Sequence, residues 1–379
     1  MSYKRKAKIQ KIIFLITFLV CCMFVGVIGG SYIAAFKKHK GVDFSLFQVI
    51  LYLVLIIVVS YVAYFINICV HEIGHMVFGL LTGYRFSSIR FGKIMILKSE
   101  GKLKIKTYSI AGTGGQVIML TPEGDRSNFP VFLYNVGGPF VNLIICIACL
   151  IGYVLLENKL SILAIVLLIS ALMSFTTFIT NALPLSEMGT DGANAMLLHK
   201  NEDARVAFYN SMEIAYYLSN NVPVKDIPEQ LFHFERETKM DNPLVTAQAI
   251  SQFSYYVMNQ RFEEAKEFGN YILEKALSIN IIHELLIYSE LLYILVAIED
   301  NMDYAKEFYE KHKKEMQRVR GQLSVQRALY AYYSLCEINE EKANNCLKMF
   351  ESIGKRYPYP QDFAIEKELL ALVDRKIIS

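Results

Sequence analysis

His71-Glu72-Ile73-Gly74-His75 is the stretch of this sequence best equipped for chemistry. On a helix, residues four apart share a face. Both imidazoles then reach one ion, and Glu72 stands beside them to take a proton from bound water. Two histidines and a carboxylate in this spacing suit zinc. A catalytic zinc also needs a third protein ligand and an open position. One further segment offers that ligand: Asn181-Ala182-Leu183-Pro184-Leu185-Ser186-Glu187-Met188-Gly189-Thr190-Asp191-Gly192. Asp191 and Glu187 are its acids, and either carboxylate can complete the site. Alone, Asp-Gly is an ordinary turn. His283-Glu284 repeats the dipeptide without a second histidine, and His199, His233 and His312 are scattered. All four histidines are expected at the surface.

The elements that must carry these groups are apolar. Spanning a bilayer takes about 20 apolar residues. Four charge-free runs meet that length, at residues 12–36, 44–70, 127–156 and 160–186. His71 follows directly on the second and Asp191 lies just past the fourth. Ionisable groups at a membrane segment are costly and are functional by default, so three of them in five residues argue for a site rather than for packing. The rival reading is a helix end capped by histidines in the headgroup layer.

Charge sets the orientation. Residues 1–199 hold 17 Lys+Arg and 8 Asp+Glu, whereas residues 200–379 hold 22 and 28. The whole-chain net of +3 therefore averages two unlike halves. With the N-terminus inside, 13 basic residues flank the spans on the inner side and 4 on the outer. The positive-inside rule then places the N-terminus, the ends bearing His71 and Asp191, and the whole second half in the cytoplasm. The mean hydropathy of +0.31 excludes a cytosolic globular enzyme and a disordered chain. Seven cysteines without paired spacing exclude a disulfide framework.

Between the second and third runs, residues 85–106 alternate apolar and polar, which is a strand period. Ser99-Glu100-Gly101 supplies a turn. Residues 107–122 are uncharged, glycine-rich and too short to span, so a hairpin or re-entrant loop lining a cavity is expected there.

With these motifs in place, the chain resembles the site-2 protease class of intramembrane zinc metalloproteases, peptidase family M50. His71-Glu72-Ile73-Gly74-His75 resembles the family's HExxH. Gly114-Gly115-Gln116-Val117-Ile118-Met119 is similar to its glycine-rich loop, and Gly138-Pro139-Phe140-Val141-Asn142 to its GPxxN. Asn181-Ala182-Leu183-Pro184 followed by Asp191-Gly192 resembles its NxxP…DG. The resemblance covers roughly residues 44–200. It implies His71, His75 and Asp191 as zinc ligands, with Glu72 as general base. It implies that Asn142 and Asn181 hold substrate backbone or the developing oxyanion; interhelical hydrogen bonding is the bland alternative for both. Six residues separate Pro184 from Asp191 where the family usually has four, which keeps Glu187 as the alternative ligand. Gly192 after Asp191 favours Asp191. The substrate it implies is a membrane-embedded protein or peptide, unwound locally for attack. The strand-like segment suits such a substrate, which can add as an edge strand.

Residues 200–379 alternate amphipathic stretches with short turns, at residues 244–259, 262–276, 281–298, 303–319 and 325–336. A weak internal repeat places Ala265, Ala305 and Ala343 at intervals of 40 and 38 residues, each following a polar turn. That resembles tetratricopeptide-like helical hairpins, which make concave binding surfaces for a protein partner. The acidic balance argues against nucleic acid and against anionic lipid.

The expected fold is therefore an all-α polytopic membrane protein with four transmembrane helices and a small β-hairpin or re-entrant loop. A soluble α-helical domain follows it. The expected divisions are residues 1–43 (basic segment and anchor), 44–200 (metalloprotease core) and 201–379 (cytoplasmic helical domain). The competing function is a membrane scaffold with a vestigial metal site that binds partners through its repeats. Four spans without an inverted repeat disfavour a transporter.

Overall fold

The structure is a computed structural model, and it describes residues 3–40, 45–99, 101–107, 114–159, 161–185, 189–357 and 359–378. The chain divides into two compact units, residues 1–92 with 111–202 and residues 93–110 with 203–379.

The first unit is a bundle of long apolar helices: α1 (Tyr3–Lys40), α2 (Leu46–Leu81), α3 (Phe132–Leu155) and α4 (Ile162–Ala182), with the short α5 (Asp191–Lys200) after them. Ser45 starts α2 with a capping box, its hydroxyl accepting from Gln48 N while the Gln48 side chain returns to Ser45 N. From there α2 runs unbroken through the histidine motif. Residues Tyr32, Ile56, Ala63, Ile165 and Ile169 knit α1, α2 and α4 together. The crossing of α2 and α3 is closer. A Cβ on Gly74 would lie 2.6 Å from Gly137 O, and one on Gly137 would lie 2.8 Å from Gly74 O. Small residues let the two backbones touch, which brings the groups on α3 within reach of the imidazoles.

This unit also holds the antiparallel pair β1 (Arg85–Phe91) and β4 (Gly115–Leu120), in register from Arg85 opposite Leu120 to Phe91 opposite Gly115, with one irregularity near Phe86 and Ser88. Where a hairpin or a re-entrant loop is expected, the segment is a strand from Gly115 onward. Its inward residues Val117 and Met119 are buried, as the two-residue period of a strand demands. Residues 108–113 of that segment lie outside the described residues.

In the second unit β2 (Ile94–Ser99) and β3 (Lys102–Thr107) form an antiparallel hairpin, as the alternation predicts. It belongs with the helical half, where Asn221 Nδ2 donates to Ser99 Oγ at 3.2 Å. The helices are α6 (Glu202–Ser219), α7 (Pro243–Met258), α8 (Phe262–Lys275), α9 (Ile281–Tyr293), α10 (Met302–Met316), α11 (Leu323–Ala331), α12 (Glu340–Gly354) and α13 (Pro360–Ile378). Helices α7/α8, α9/α10 and α11/α12 form hairpins. Each turns through a residue in the left-handed region: Gln260 (φ 57), Asp300 (φ 55) and Ile338 (φ 55). Ala265, Ala305 and Ala343 are buried just after those turns. Arg327 on α11 is fully buried and binds Glu290 on α9 and Glu366 on α13, at 2.8 and 2.7 Å.

Among the described residues, five helices are long and apolar enough to cross a membrane: Leu15–Ala35, Leu46–Leu81, Phe132–Leu155, Ile162–Ala182 and Ile281–Ile298. Four coincide with the expected runs. The fifth belongs to the second unit and differs in burial: 61% of its most apolar window is packed inside the protein, against 11–33% for the others.

Candidate metal centre

His71 and His75 project from one face of α2 and are buried at 7% and 6% exposure. Their outer nitrogens fix the tautomers. His75 Nδ1 lies 2.7 Å from Tyr134 O; a carbonyl only accepts, so Nδ1 carries the proton. His71 Nδ1 lies 2.7 Å from Asn142 Oδ1. The Asn142 amide is oriented by its other end, because Nδ2 donates to Asn67 O at 3.2 Å and to Asn67 Oδ1 at 3.1 Å. Oδ1 therefore faces His71 and accepts from it. Ser174 Oγ on α4 donates to Asn67 Oδ1 at 2.5 Å, and Asn67 Nδ2 donates to Ala63 O. A buried polar chain from three helices thus ends on one imidazole.

With both Nδ1 atoms protonated, the two Nε2 atoms present lone pairs. They lie 3.1 Å apart. Asp191 Oδ2, at the start of α5, lies 3.1 Å from His71 Nε2 and 3.4 Å from His75 Nε2. Oδ2 is buried without a hydrogen-bond donor. With Nδ1 on each ring turned to an acceptor, the two Nε2 atoms and Oδ2 face one point and can serve one cation. The ligand atoms of His71, His75 and Asp191 all lie within 4.8 Å of one another. Two imidazoles and a carboxylate match the donor set of zinc.

Glu72, beside the ligands, is 8% exposed. Strand β4 begins against it: a Cβ on Gly115 would lie 2.6 Å from Glu72 Oε1. Arg90 on β1 secures that strand end. Its guanidinium donates to Gly92 O at 2.7 Å and to Gly115 O at 3.3 Å. On the opposite side a Cβ on Gly138 would overlap His75 Nε2 and come within 2.8 Å of His71 Cε1. Glycine at 138 leaves room around the two imidazoles, and glycine at 115 lets β4 lie against Glu72.

Of the residues expected at the site, the structure brings together His71, Glu72, His75, Asp191 and Asn142. Asn142 is fully buried, and its amide is engaged by His71 and Asn67 rather than turned toward a substrate. Asn181 Nδ2 donates to Thr177 O on its own helix at 2.9 Å. Glu187 lies outside the described residues. Sequence reasoning missed Asn67, Ser174, Tyr134, Arg90 and Thr190. Asn67 left a signal, being a polar residue one turn before His71 in a charge-free run. Tyr134 left none, because it acts on His75 through its backbone carbonyl.

Two imidazoles on one apolar helix and a carboxylate on a short helix facing them make a candidate metal centre within a bundle long and apolar enough to cross a membrane. The model of peptidase family M50 matches residues 59–224, which contain every site residue above. The members of that family are zinc metalloproteases, and the chain is an integral membrane protein. Neither the curated proteins nor the solved structures yield a match to it.

Proposed function

We propose that this protein is an intramembrane zinc metalloprotease that hydrolyses a peptide bond within or next to a transmembrane segment of a membrane-embedded protein or peptide. One observation carries the reading: two imidazole lone pairs, fixed by their Nδ1 partners, face a carboxylate oxygen that has no donor. His71, His75 and Asp191 would hold the zinc. Bound there, zinc supplies a water of lowered pKa and polarises the scissile carbonyl. Glu72 takes the proton of the attacking water on its carboxylate and delivers it to the leaving amine. Burial of Glu72 keeps bulk water from competing for it. A substrate segment in extended form, laid along β4, presents its peptide bond beside Glu72, since Gly115 abuts that carboxylate.

Helices α1 to α4 are the membrane spans in this reading. The apolar segment Ile281–Ile298 is a core helix of the second unit, because it carries the buried Glu290 and Tyr293 that face Arg327. The positive-inside balance puts the N-terminus and the second unit in the cytoplasm. The stacked hairpins α7 to α12 recruit a protein partner or a substrate tail.

The test is trapping. Membranes of cells making Glu72→Gln are compared by mass spectrometry with wild type. The variant should retain zinc and accumulate an uncut membrane protein or peptide, which co-purifies with it. Identical membrane proteomes, with zinc retained in both, would leave the scaffold reading in its place.

A further inference from the structure

Asp191 is the ligand with the weakest local support, since it follows a loop rather than a helix body. Helix α4 ends at Ala182, and six residues separate Pro184 from Asp191. A free loop of that length does not hold a carboxylate to within a few tenths of an ångström. Two contacts do. On one side of Asp191, a Cβ on Gly192 would overlap Ala182 O, so the start of α5 rests directly on the end of α4. On the other side stands Thr190, 7% exposed. Its hydroxyl donates to Leu183 O at 2.5 Å and accepts from Leu185 N at 3.1 Å.

This is an unusual use of the residue. Thr190 is the N-cap of α5, where a threonine hydroxyl ordinarily accepts from the second or third backbone N–H of its helix. Here it makes no cap hydrogen bond. The hydroxyl turns back across the loop and closes it onto the end of α4, forgoing the cap.

We infer that Thr190 is the positioning residue for the carboxylate ligand: its hydroxyl staples the loop shut and sets Asp191 Oδ2 against the two Nε2 atoms. The inference rests on the zinc-site reading of His71, His75 and Asp191. Thr190 touches no reacting atom. It acts as outer-sphere partners of metal ligands do, where a lost contact typically weakens the metal by about 10- to 100-fold.

The experiment measures zinc affinity of the purified full chain by competition with a chromophoric chelator, and thermal unfolding of the metal-free protein. Thr190→Val keeps the shape and removes the hydroxyl; Thr190→Ser keeps the hydroxyl. Thr190→Val should bind zinc at least tenfold more weakly than wild type, with Thr190→Ser within about threefold of it. Metal-free unfolding temperatures should stay alike. Equal zinc affinity in Thr190→Val and wild type overturns the inference. So does an equal loss in valine and serine variants, which would mark Thr190 as a packing residue. If Thr190→Val does not fold, Thr190→Ala takes its place under the same criteria. Failure of the wild type itself to bind zinc would instead sink the metalloprotease reading, and this inference with it.

Discussion

Asn142 Oδ1 sits 2.7 Å from His71 Nδ1, and this contact decides which nitrogen of His71 faces Asp191. An imidazole whose Nδ1 donates to an acceptor offers its Nε2 lone pair inward. Asn142→Leu should therefore lower zinc affinity by about 10- to 100-fold, measured by chelator competition. Asn142→Asp restores an acceptor and should retain more zinc than the leucine variant. Unchanged zinc affinity in Asn142→Leu would show that the asparagine serves only helix packing.

The two glycine contacts at the α2/α3 crossing should separate in experiment. Gly74→Ala forces a methyl against the Gly137 carbonyl, backbone against backbone. Its main effect should be on stability, a loss of about 1–3 kcal/mol, read from thermal unfolding in detergent. Gly138→Ala drives a methyl into His75 Nε2. It should abolish zinc binding, with a smaller loss of stability than Gly74→Ala.

Arg90 offers a different split. Its guanidinium ties Gly92 O to Gly115 O and so keeps β4 against Glu72 without touching the ligands. Arg90→Met should retain one zinc per chain yet slow cleavage of a trapped substrate by about 100-fold, the scale of a misplacement of about 1 Å. Loss of zinc in step with activity would contradict this placement.

The second unit carries a pH dependence of its own. Asp362, near the start of α13, is buried, and burial together with Glu366 pushes its carboxyl up to about 7. The folded state keeps this proton where the unfolded chain, titrating near 4, has lost it. Its contribution to stability is full below about pH 4 and is lost as pH rises through about 7. Hydrogen exchange in α13 should accelerate between about pH 4 and 7, after correction for the intrinsic rate, and Asp362→Asn should flatten that trend. The same slope in the asparagine variant would assign the effect to other groups.

Much of the centre was legible in the residues alone. His71 and His75 share a helical face by spacing, and Asp191 precedes Gly192, whose lack of a Cβ seats α5 on α4. Three of the four apolar runs end within a few residues of α1, α3 and α4, whereas α2 carries on past its run to Leu81 and takes the histidine motif with it. What escaped is what depends on tertiary contact. For Asn142 the sequence leaves substrate binding and interhelical hydrogen bonding both open, because nothing in its neighbours shows that Asn67 and Ser174 orient it. The glycines leave a hairpin and a re-entrant loop both open for residues 107–122, and only the pairing with β1 shows that Gly115–Leu120 is a strand. The apolar stretch Ile281–Ile298 contains Glu284 and Glu290 and looked amphipathic; Arg327, far along the chain, makes burial of Glu290 tolerable.

The most direct measurement is X-ray absorption at the zinc edge on the purified full chain. One zinc per chain is expected, with an inner shell of nitrogen and oxygen at about 2.0–2.2 Å that includes two imidazoles and no sulfur. His71→Ala should remove an imidazole contribution and Asp191→Ala should alter the oxygen shell. No bound zinc, a sulfur-containing shell, or a spectrum unchanged by Asp191→Ala would contradict the assignment of this centre.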